Sequence, residues 1–379
     1  MYRENDMLCY SLKAKMDTIQ KVPLYAKTAL IFTSIFAFVF TLHIGEEIIV
    51  PLLYAVIISI VLNPFVNFLV SKNISRIWAI SIAVGLAIFS VCLLLLTVSS
   101  QLAVFSEIYP LLKVKFTAAG EQLTHWISGT FGIRQSEISS WISKAESEAI
   151  NSFAIGERIA EAGQFFVIVM LFPVYLFMIL FYKTLLLEFI RQIFREEHHT
   201  AVAEVLINSK VIIQSYLSGL FLEMLIIAVL NSAGLLLIGI DYAIILGVTG
   251  AIVNIIPYIG GLIAILIPLI IAFATTDSLS YPILVLAVYS IIQFIDNHFI
   301  IPKIVAGRVK VNALVSVIVI LIGSALWGIP GIFLSIPLTA IIKVICDHTV
   351  SLKPWGFLLG DVIPAGTGFS TTKKFSDNQ

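Results

Sequence analysis

Two apolar stretches, residues 242–256 and residues 258–273, meet at the sequence Pro-Tyr-Ile-Gly-Gly of residues 257–261. Neither stretch contains a charged residue. At ~1.5 Å per helical residue, each arm is about 22–25 Å long, which is shorter than the ~30 Å hydrocarbon core of a bilayer. The pattern therefore predicts a helical hairpin whose tip lies at or near membrane depth. Irregular backbone at that depth is tolerated only where it is buried in protein or lines a cavity.

A second pair of apolar stretches has the same design. Residues 311–326 and residues 332–345 are joined by Trp-Gly-Ile-Pro-Gly at residues 327–331. Two short, Gly/Pro-interrupted pairs at corresponding positions indicate the binding site of a secondary transporter. The tip residues that we expect to contribute are Pro257, Gly260, Gly261, Gly328, Pro330 and Gly331. The glycines either line a cavity with backbone groups or let two helices approach closely, and the pattern leaves both interpretations open.

The composition places these hairpins in a bilayer. The chain is 59% hydrophobic and 12% charged, whereas a soluble domain carries about 25% charged residues. The formal net charge is zero, which argues against nucleic acid as a partner. We therefore predict an all-α polytopic integral membrane protein. It has about six spans, two interrupted helical hairpins that form an inverted pair, and an extramembrane amphipathic helical insert.

Changes in charge and hydropathy divide the chain into six segments. They are a cytoplasmic tail (residues 1–27), N-terminal membrane spans (28–100), the extramembrane insert (101–161), a span with a cytoplasmic amphipathic helix (162–210), a transport core with both hairpins (211–345) and a cytoplasmic C-terminal tail (346–379). The spans are expected at residues 28–43, 48–62, 77–98, 163–182, 211–239 and 282–301. Pro173 is expected to kink the fourth span. The insert either contacts a partner or the lipid surface, or is a helical spacer that packs on its own or a neighbouring protomer.

Two acidic residues inside apolar helices are the strongest candidates for chemistry. No Lys or Arg occurs between Val211 and Pro302, and the four acids of this stretch are Glu223, Asp241, Asp277 and Asp296. Asp241 and Asp277 stand at segment starts, where an N-cap carboxylate is expected. Glu223 and Asp296 lie within helices, where an ionisable side chain costs ~2.5 kcal/mol or more and indicates a functional site. The alternative for Glu223 is a neutral carboxyl hydrogen-bonded to a neighbouring helix.

Amide side chains extend this candidate path. Gln293, Asp296 and Asn297 are spaced i, i+3 and i+4, so they share one face of a helix. With Glu223 and with Asn254 beside the first tip, they form the expected substrate or ion path. Asp296 stands close to the basic loop of residues 302–310, so Glu223 is expected to be the deeper of the two acids.

The sequence lacks the residues that other classes of function require. The three cysteines are scattered, His198 and His199 point to different helix faces, and no zinc-ligand spacing or P-loop occurs. No nucleophile elbow or Cys/His pair lies in a span. We therefore expect neither a metal site nor a cofactor, and a transporter rather than an enzyme. A non-transporting membrane scaffold whose insert recruits a partner remains the alternative.

Several motifs resemble those of a known family. They are V-P-L-L-Y-A-V-I-I-S-I-V-L-N-P (residues 50–64), I-S-R (74–76), G-I-D-Y-A-I-I-L-G (239–247), N-I-I-P-Y-I-G-G (254–261), Q-F-I-D-N-H-F-I-I-P-K-I-V-A-G (293–307) and W-G-I-P-G-I-F-L-S-I-P-L-T-A (327–340). They resemble the autoinducer-2 exporter (AI-2E, PerM-like) family of bacterial permeases, and the resemblance extends over about residues 25–355. This chain departs from the family pattern at Gly261, where proline is frequent, and at Leu220, where glutamine is frequent.

The resemblance implies a homo-oligomeric transporter of the bacterial inner membrane that moves a transport unit across the bilayer. Its implied cargo is a small polar metabolite or signal of the autoinducer-2 type, coupled to protons or cations. A sodium(lithium)/proton antiporter of the same family is the alternative, because family membership does not choose between these substrates.

The distribution of basic residues predicts the orientation. Lys and Arg cluster in residues 3–27, 72–76, 302–310 and 343–374, and basic flanks stay cytoplasmic. Both termini should therefore be cytoplasmic and residues 101–161 outside. In a variant without Cys9, Cys92 and Cys346, a cysteine placed at position 5 should resist a membrane-impermeant thiol reagent in intact cells. Labelling of that cysteine from outside would contradict this topology.

Overall fold

The computed structural model describes residues 23–131, 159–257, 259–276, 278–306 and 309–361. The helices of this part are α1 (Leu24–Ile44), α2 (Glu46–Ser71), α3 (Arg76–Phe131), α4 (Ile159–Phe181), α5 (Lys183–Ile193), α6 (His199–Ile238), α7 (Ala243–Asn254), α8 (Gly260–Thr275), α9 (Ser280–Ile295), α10 (Ala313–His348) and α11 (Lys353–Leu359). Short 3₁₀ turns, Glu196–His198 and Val350–Leu352, precede α6 and α11, and two π-helical turns, Asp296–Ile300 and Pro302–Ala306, follow α9. Within these ranges the only β-pairing is one isolated bridge. Two compact units divide the chain, residues 1–49 and residues 50–379, and the contacts below belong to the second.

Six helical stretches in the described ranges are long and apolar enough to cross a membrane. They are Leu24–Ile44, Glu46–Ser71, Arg76–Thr97, Glu196–Ile238, Ser280–Val305 and Ala313–His348. The prediction of an all-α polytopic membrane protein is therefore confirmed. The predicted span at residues 163–182 is not among the six, because Met170–Phe181 reaches the required length only together with α5. The 67° bend between them lies at the end of α4 and not at Pro173, which is inside the helix.

The first predicted hairpin is present as α7 and α8. These helices have 12 and 16 residues, so they are about 18 and 24 Å long and shorter than a span. The chain enters α7 after Gly239, whose φ of 82° ends α6 in the left-handed conformation that favours glycine. The N-cap of α7 is Tyr242 with no side-chain cap, so the N-cap role expected for Asp241 is wrong. Asp277 lies outside the described residues.

The second predicted hairpin lies within α10. Trp327 and Gly328 have non-helical backbone angles, and Gly328 has a φ of 60°. A Cβ on Gly331 would overlap the carbonyl group of Gly323, although residues eight apart in a straight helix are about 12 Å apart. The chain therefore reverses at residues 327–328, and the two arms pack against each other through glycines.

Residues 101–131 of the insert continue α3 without a break. Leu112 is buried in one apolar cluster with residues of α6 to α9, among them Leu246 and Ala272. The Nζ of Lys115 donates to the carbonyl oxygens of Phe273 and Thr276 at the end of α8. This part of the insert thus packs on its own chain, while residues 132–158 lie outside the described residues.

Most of both predicted terminal tails, residues 1–22 and 362–379, lies outside the residues that the structure describes. The described part of the predicted C-terminal tail is folded. α10 extends to His348, and α11 follows it. Asn312, the N-cap of α10, accepts a hydrogen bond from Val315 and donates from Nδ2 to the carbonyl oxygens of Leu358 and Gly360. This side chain ties the start of α10 to the end of α11.

Polar groups also hold α2, α3 and α4 together beside an apolar cluster. Arg76 Nη2, at the start of α3, donates to the carbonyl oxygens of Leu180 (3.2 Å) and Phe181 (3.3 Å) at the end of α4. Lys183 Nζ donates to Asn63 Oδ1 at 3.0 Å. Because the last carbonyls of a helix have no partner within it, a cation there satisfies them and favours the helix dipole.

We expect Arg76→Met to destabilise this three-helix contact. The substitution keeps the apolar stem and removes charge-assisted hydrogen bonds, each worth about 1.5–3 kcal/mol. The apparent melting temperature in detergent should fall measurably. Arg191→Met is the matched control, because the Arg191–Glu188 pair is 65% and 51% exposed and contributes about 1 kcal/mol or less. Equal melting temperatures for the two variants would contradict the role given to Arg76.

Candidate functional site

A cavity of about 540 Å³ lies between α6, the tip of the first hairpin, the end of α9 with its π-helical turns, and α10. Its lining residues are Tyr216, Leu220, Glu223, Asn254, Ile255, Ile256, Pro257, Gly261, Leu262, Ile265, Gln293, Asp296, Asn297, Ile301, Val305, Val309, Val311, Ser316 and Ile336. The wall is largely apolar, with a few polar groups that converge, which is typical of small-molecule sites.

Both acids predicted from the sequence lie in this cavity. Glu223 is 5% exposed and Asp296 is 0% exposed. Both carboxyl groups are therefore buried within the protein, and their relative depth in the bilayer stays a prediction. Asn254 Nδ2 donates to Asp296 Oδ2 at 2.9 Å, while Asp296 Oδ1 has no hydrogen-bond partner among the residues that the structure describes. A buried carboxylate oxygen without a partner is a ready acceptor for a proton, a cation or a hydroxyl group.

The local backbone explains how Asp296 is presented. α9 ends at Ile295, and Asp296 begins a π-helical turn. Pro302 starts the second turn of this kind, and proline has no N–H with which to continue an α-helix. π-Helical turns inside helices are frequent at functional sites because they redirect side chains. The helix was predicted to continue to residue 301, so this change of winding was missed, although Pro302 is its visible signal.

The structure brings the predicted path residues to one place. Glu223, Asn254, Gln293, Asp296 and Asn297 all line the cavity. They come from three helices and from the turn that follows α9. The i, i+3, i+4 face proposed for residues 293, 296 and 297 therefore does border a cavity.

The tip residues of the first hairpin divide into two roles. Pro257 and Gly261 line the cavity, and a Cβ on Gly261 would lie 2.6 Å from Gln293 Oε1. Gly260 is buried instead against the first arm, where a Cβ would lie 2.8 Å from the Asn254 Cα. Both interpretations of the glycines thus apply, one to each residue of the pair.

The tip of the second hairpin does not line this cavity. The Pro330 carbonyl accepts a hydrogen bond from the Tyr54 hydroxyl at 3.0 Å. Gly331 packs against Gly323, and in the described part of the chain only the segment adjoining Gly328 comes within 4 Å of the position of its Cβ. The second hairpin reaches the cavity through residues of its arms, Ser316 and Ile336. Gly328, Pro330 and Gly331, which were expected to contribute to the site, are thus not among the residues that line this cavity.

Sequence reasoning missed several lining residues. Tyr216 and Leu220 precede Glu223 by seven and three residues, so helical spacing could have placed them on its face. No helical spacing in the sequence pointed to Val305, Val309 and Val311, because the π-helical turns were not predicted. No described lining residue is basic. The described part of the chain has no group of three His, Cys, Asp or Glu that could hold a metal ion.

Comparison with known proteins identifies the family. A family model described as AI-2E family transporter matches residues 30–351. The chain belongs to the AI-2E transporter family. It is therefore a multi-pass protein of the inner membrane, and its relatives are named as transporters rather than enzymes.

Curated relatives include proteins from two bacteria. The AI-2 transport protein TqsA of Escherichia coli (strain K12) is 25% identical over 338 residues, which cover 85% of this chain and 92% of TqsA. The putative transport protein YhhT of the same strain is 23% identical, over 84% of this chain and 90% of YhhT. The putative transport protein YrrI of Bacillus subtilis (strain 168) is 32% identical over 138 residues, which cover 36% of this chain and 38% of YrrI.

The two adjacent glycines of the first tip should respond differently to alanine. Gly260→Ala forces a methyl group against the backbone of Asn254, which cannot shift without distorting α7. This AI-2E protein should therefore lose thermal stability or yield. Gly261→Ala meets only the flexible end of the Gln293 side chain, so the fold should persist while solute transport changes. Melting temperature and transport, measured on both variants, check this contrast. Equal stability loss in both would contradict it.

Proposed function

We propose that the cavity is the solute site of a secondary transporter that exports a small polar metabolite of the autoinducer-2 type. The observation that carries this proposal is the convergence of two buried carboxyl groups and three amide side chains in one cavity. Such groups accept and donate hydrogen bonds, as recognition of a hydroxyl-rich solute requires. The name of the relative TqsA, an AI-2 transport protein, supports this class of solute.

The size of the cavity favours a metabolite over a bare ion. Its volume of about 540 Å³ falls in the range of small-molecule pockets, roughly 300–1,000 Å³. Side chains such as Leu220, Ile265 and Ile336 form much of its wall. They offer an apolar surface to the carbon skeleton of a solute, while the polar groups around Asp296 fix its orientation.

The two carboxyl groups supply the coupling in this proposal. Glu223 and Asp296 face one cavity in which no described lining residue is basic. Two negative charges in a low-dielectric site repel each other, so the pair takes up a proton or a cation when no solute donates to it. Solute binding and proton or cation binding then compete for the same oxygens, and this competition links the two movements.

The second candidate is a sodium(lithium)/proton antiporter, in which the cation itself is the cargo. Asp296 Oδ1, which the described residues leave without a hydrogen-bond partner, favours this alternative, because carboxylate and amide oxygens are suitable ligands for hard cations. For either cargo we propose a homo-oligomer with both termini in the cytoplasm, as the resemblance and the basic flanks suggest. A scaffold without transport would leave this buried pair of acids without a use.

Glu223→Gln and Asp296→Asn test the proposal in proteoliposomes. Both substitutions keep the size and hydrogen-bonding capacity of the side chain and remove its charge. Since a hydrogen bond to a charged group contributes about 1.5–3 kcal/mol, each change should slow autoinducer-2 transport by roughly ten- to a hundredfold. The dependence of the remaining transport on pH should also be lost.

Glu188→Gln is the matched control. It removes an acid that is 51% exposed on α5, so its transport should equal that of the wild type. Elution volume and melting temperature verify that all three variants fold and assemble. Lithium or sodium fluxes, measured on the same vesicles, separate the two candidate cargos. Unchanged transport and an unchanged pH profile in Glu223→Gln would contradict a coupling role for this residue.

A further inference from the structure

A second group of buried polar side chains lies beyond the cavity. Asn231 of α6 and Tyr289 of α9 are each 2% exposed. Asn231 Oδ1 and the Tyr289 hydroxyl have no hydrogen-bond partner within the described residues. Most buried polar atoms in native proteins are satisfied by protein or by ordered water, so two unsatisfied atoms in one place require an explanation.

The two side chains meet beside Gly250 of α7. A Cβ built on Gly250 would lie 3.4 Å from Asn231 Nδ2, 3.4 Å from the Tyr289 hydroxyl and 3.6 Å from the Ala264 Cβ. The two polar groups are therefore no farther apart than twice 3.4 Å. The absence of a side chain at Gly250 keeps this polar space open.

The location of this group continues the polar faces of the cavity. Asn231 follows Glu223 by eight residues on α6, and Tyr289 precedes Asp296 by seven residues on α9. These spacings correspond to about two helical turns on the same face. Gly250 precedes Asn254 by four residues, one turn along α7. All three helices thus carry polar or small residues from the cavity towards the end where α6 stops and α9 starts.

Apolar packing separates the two groups. Ile227 lies between Glu223 and Asn231 on α6 and is 2% exposed, in a cluster with Ala251 and Ile292. Asn231 and Tyr289 are therefore on the packed side of the cavity, where a solute has no open passage in this conformation.

We propose that a water molecule binds beside Gly250, between the Asn231 amide and the Tyr289 hydroxyl, and that this second polar site is the next hydrogen-bonding position for a solute that leaves the cavity through the packed side. A buried water needs two to four polar partners and about the space of one probe sphere. The glycine leaves the space of one methyl group in contact with the Asn231 amide and the Tyr289 hydroxyl. The first half of the proposal is independent of the proposed function, and the second half depends on it.

Gly250→Ala tests the bound water by the sign of its effect. The new methyl group would displace the water and leave the Tyr289 hydroxyl without a partner. The variant should then melt about 2–4 °C below the wild type, although alanine is the better helix former. The matched control is Gly85→Ala in α3, where the described residues place no atom beyond the adjoining helix backbone within 4 Å of the added Cβ, and this variant should melt at or above the wild type.

Tyr289→Phe is combined with Gly250→Ala in a double-mutant cycle. It removes one of the two polar groups, so the added penalty of Gly250→Ala should be smaller in the Tyr289→Phe background. A Gly250→Ala variant that melts at or above the wild type would overturn the bound water. An equal penalty in both backgrounds would also overturn it, because the effect would then be purely steric.

Transport of autoinducer-2 in proteoliposomes tests the route. Tyr289→Phe should slow transport several-fold. Thr249→Val should not, because the buried Thr249 hydroxyl already donates to Ile245 of its own helix at 2.8 Å. If Tyr289→Phe transports at the wild-type rate, the proposed route is wrong. The melting temperatures alone then decide whether the water binds. If the wild type does not transport autoinducer-2, the proposed function and the route both fail, while the melting temperatures still decide the bound water.

Discussion

A polypeptide that bends inside a bilayer must keep its backbone N–H and C=O groups away from lipid, because hydrocarbon offers them no hydrogen bonds. This protein bends twice in its apolar second half, and each bend is enclosed by a close approach of two helices. At the first bend Gly260 packs on the Asn254 backbone, and at the second Gly331 packs on Gly323. Glycine permits both approaches, and the remaining architecture is arranged around these two short hairpins.

The same constraint explains the position of the polar side chains. A carboxyl group in a span is tolerated when it faces protein or a polar cavity. Glu223 and Asp296 do so in the cavity between the first hairpin, α6 and the end of α9. The irregular backbone of the π-helical turns borders the same cavity, so structural irregularity and buried charge are concentrated together.

Sequence patterns were sufficient for the features that depend on local composition. Proline and glycine between apolar arms predicted both hairpins, and helical spacing placed Gln293, Asp296 and Asn297 on one face. Three features depended on long-range packing and were not predictable in this way. They are the unbroken continuation of α3 onto the first hairpin, the contact of Tyr54 with Pro330, and the complete burial of Asp296. Sequence distance to the basic loop does not show which helices cover the Asp296 side chain.

The length of α3 has a mechanical consequence. This single helix of 56 residues, about 84 Å long, packs near its start on α4 and farther along on α7 and α8. A displacement of the first hairpin relative to α2 and α4 must therefore either break the Lys115 contacts at the end of α8 or deform α3 between its two attachment points. Pro110 lies in that interval, just before Leu112, and lacks the N–H that would continue the helical hydrogen bonding. The helical hydrogen bonding is thus interrupted in the part of α3 that would have to bend if the first hairpin moved relative to α2 and α4.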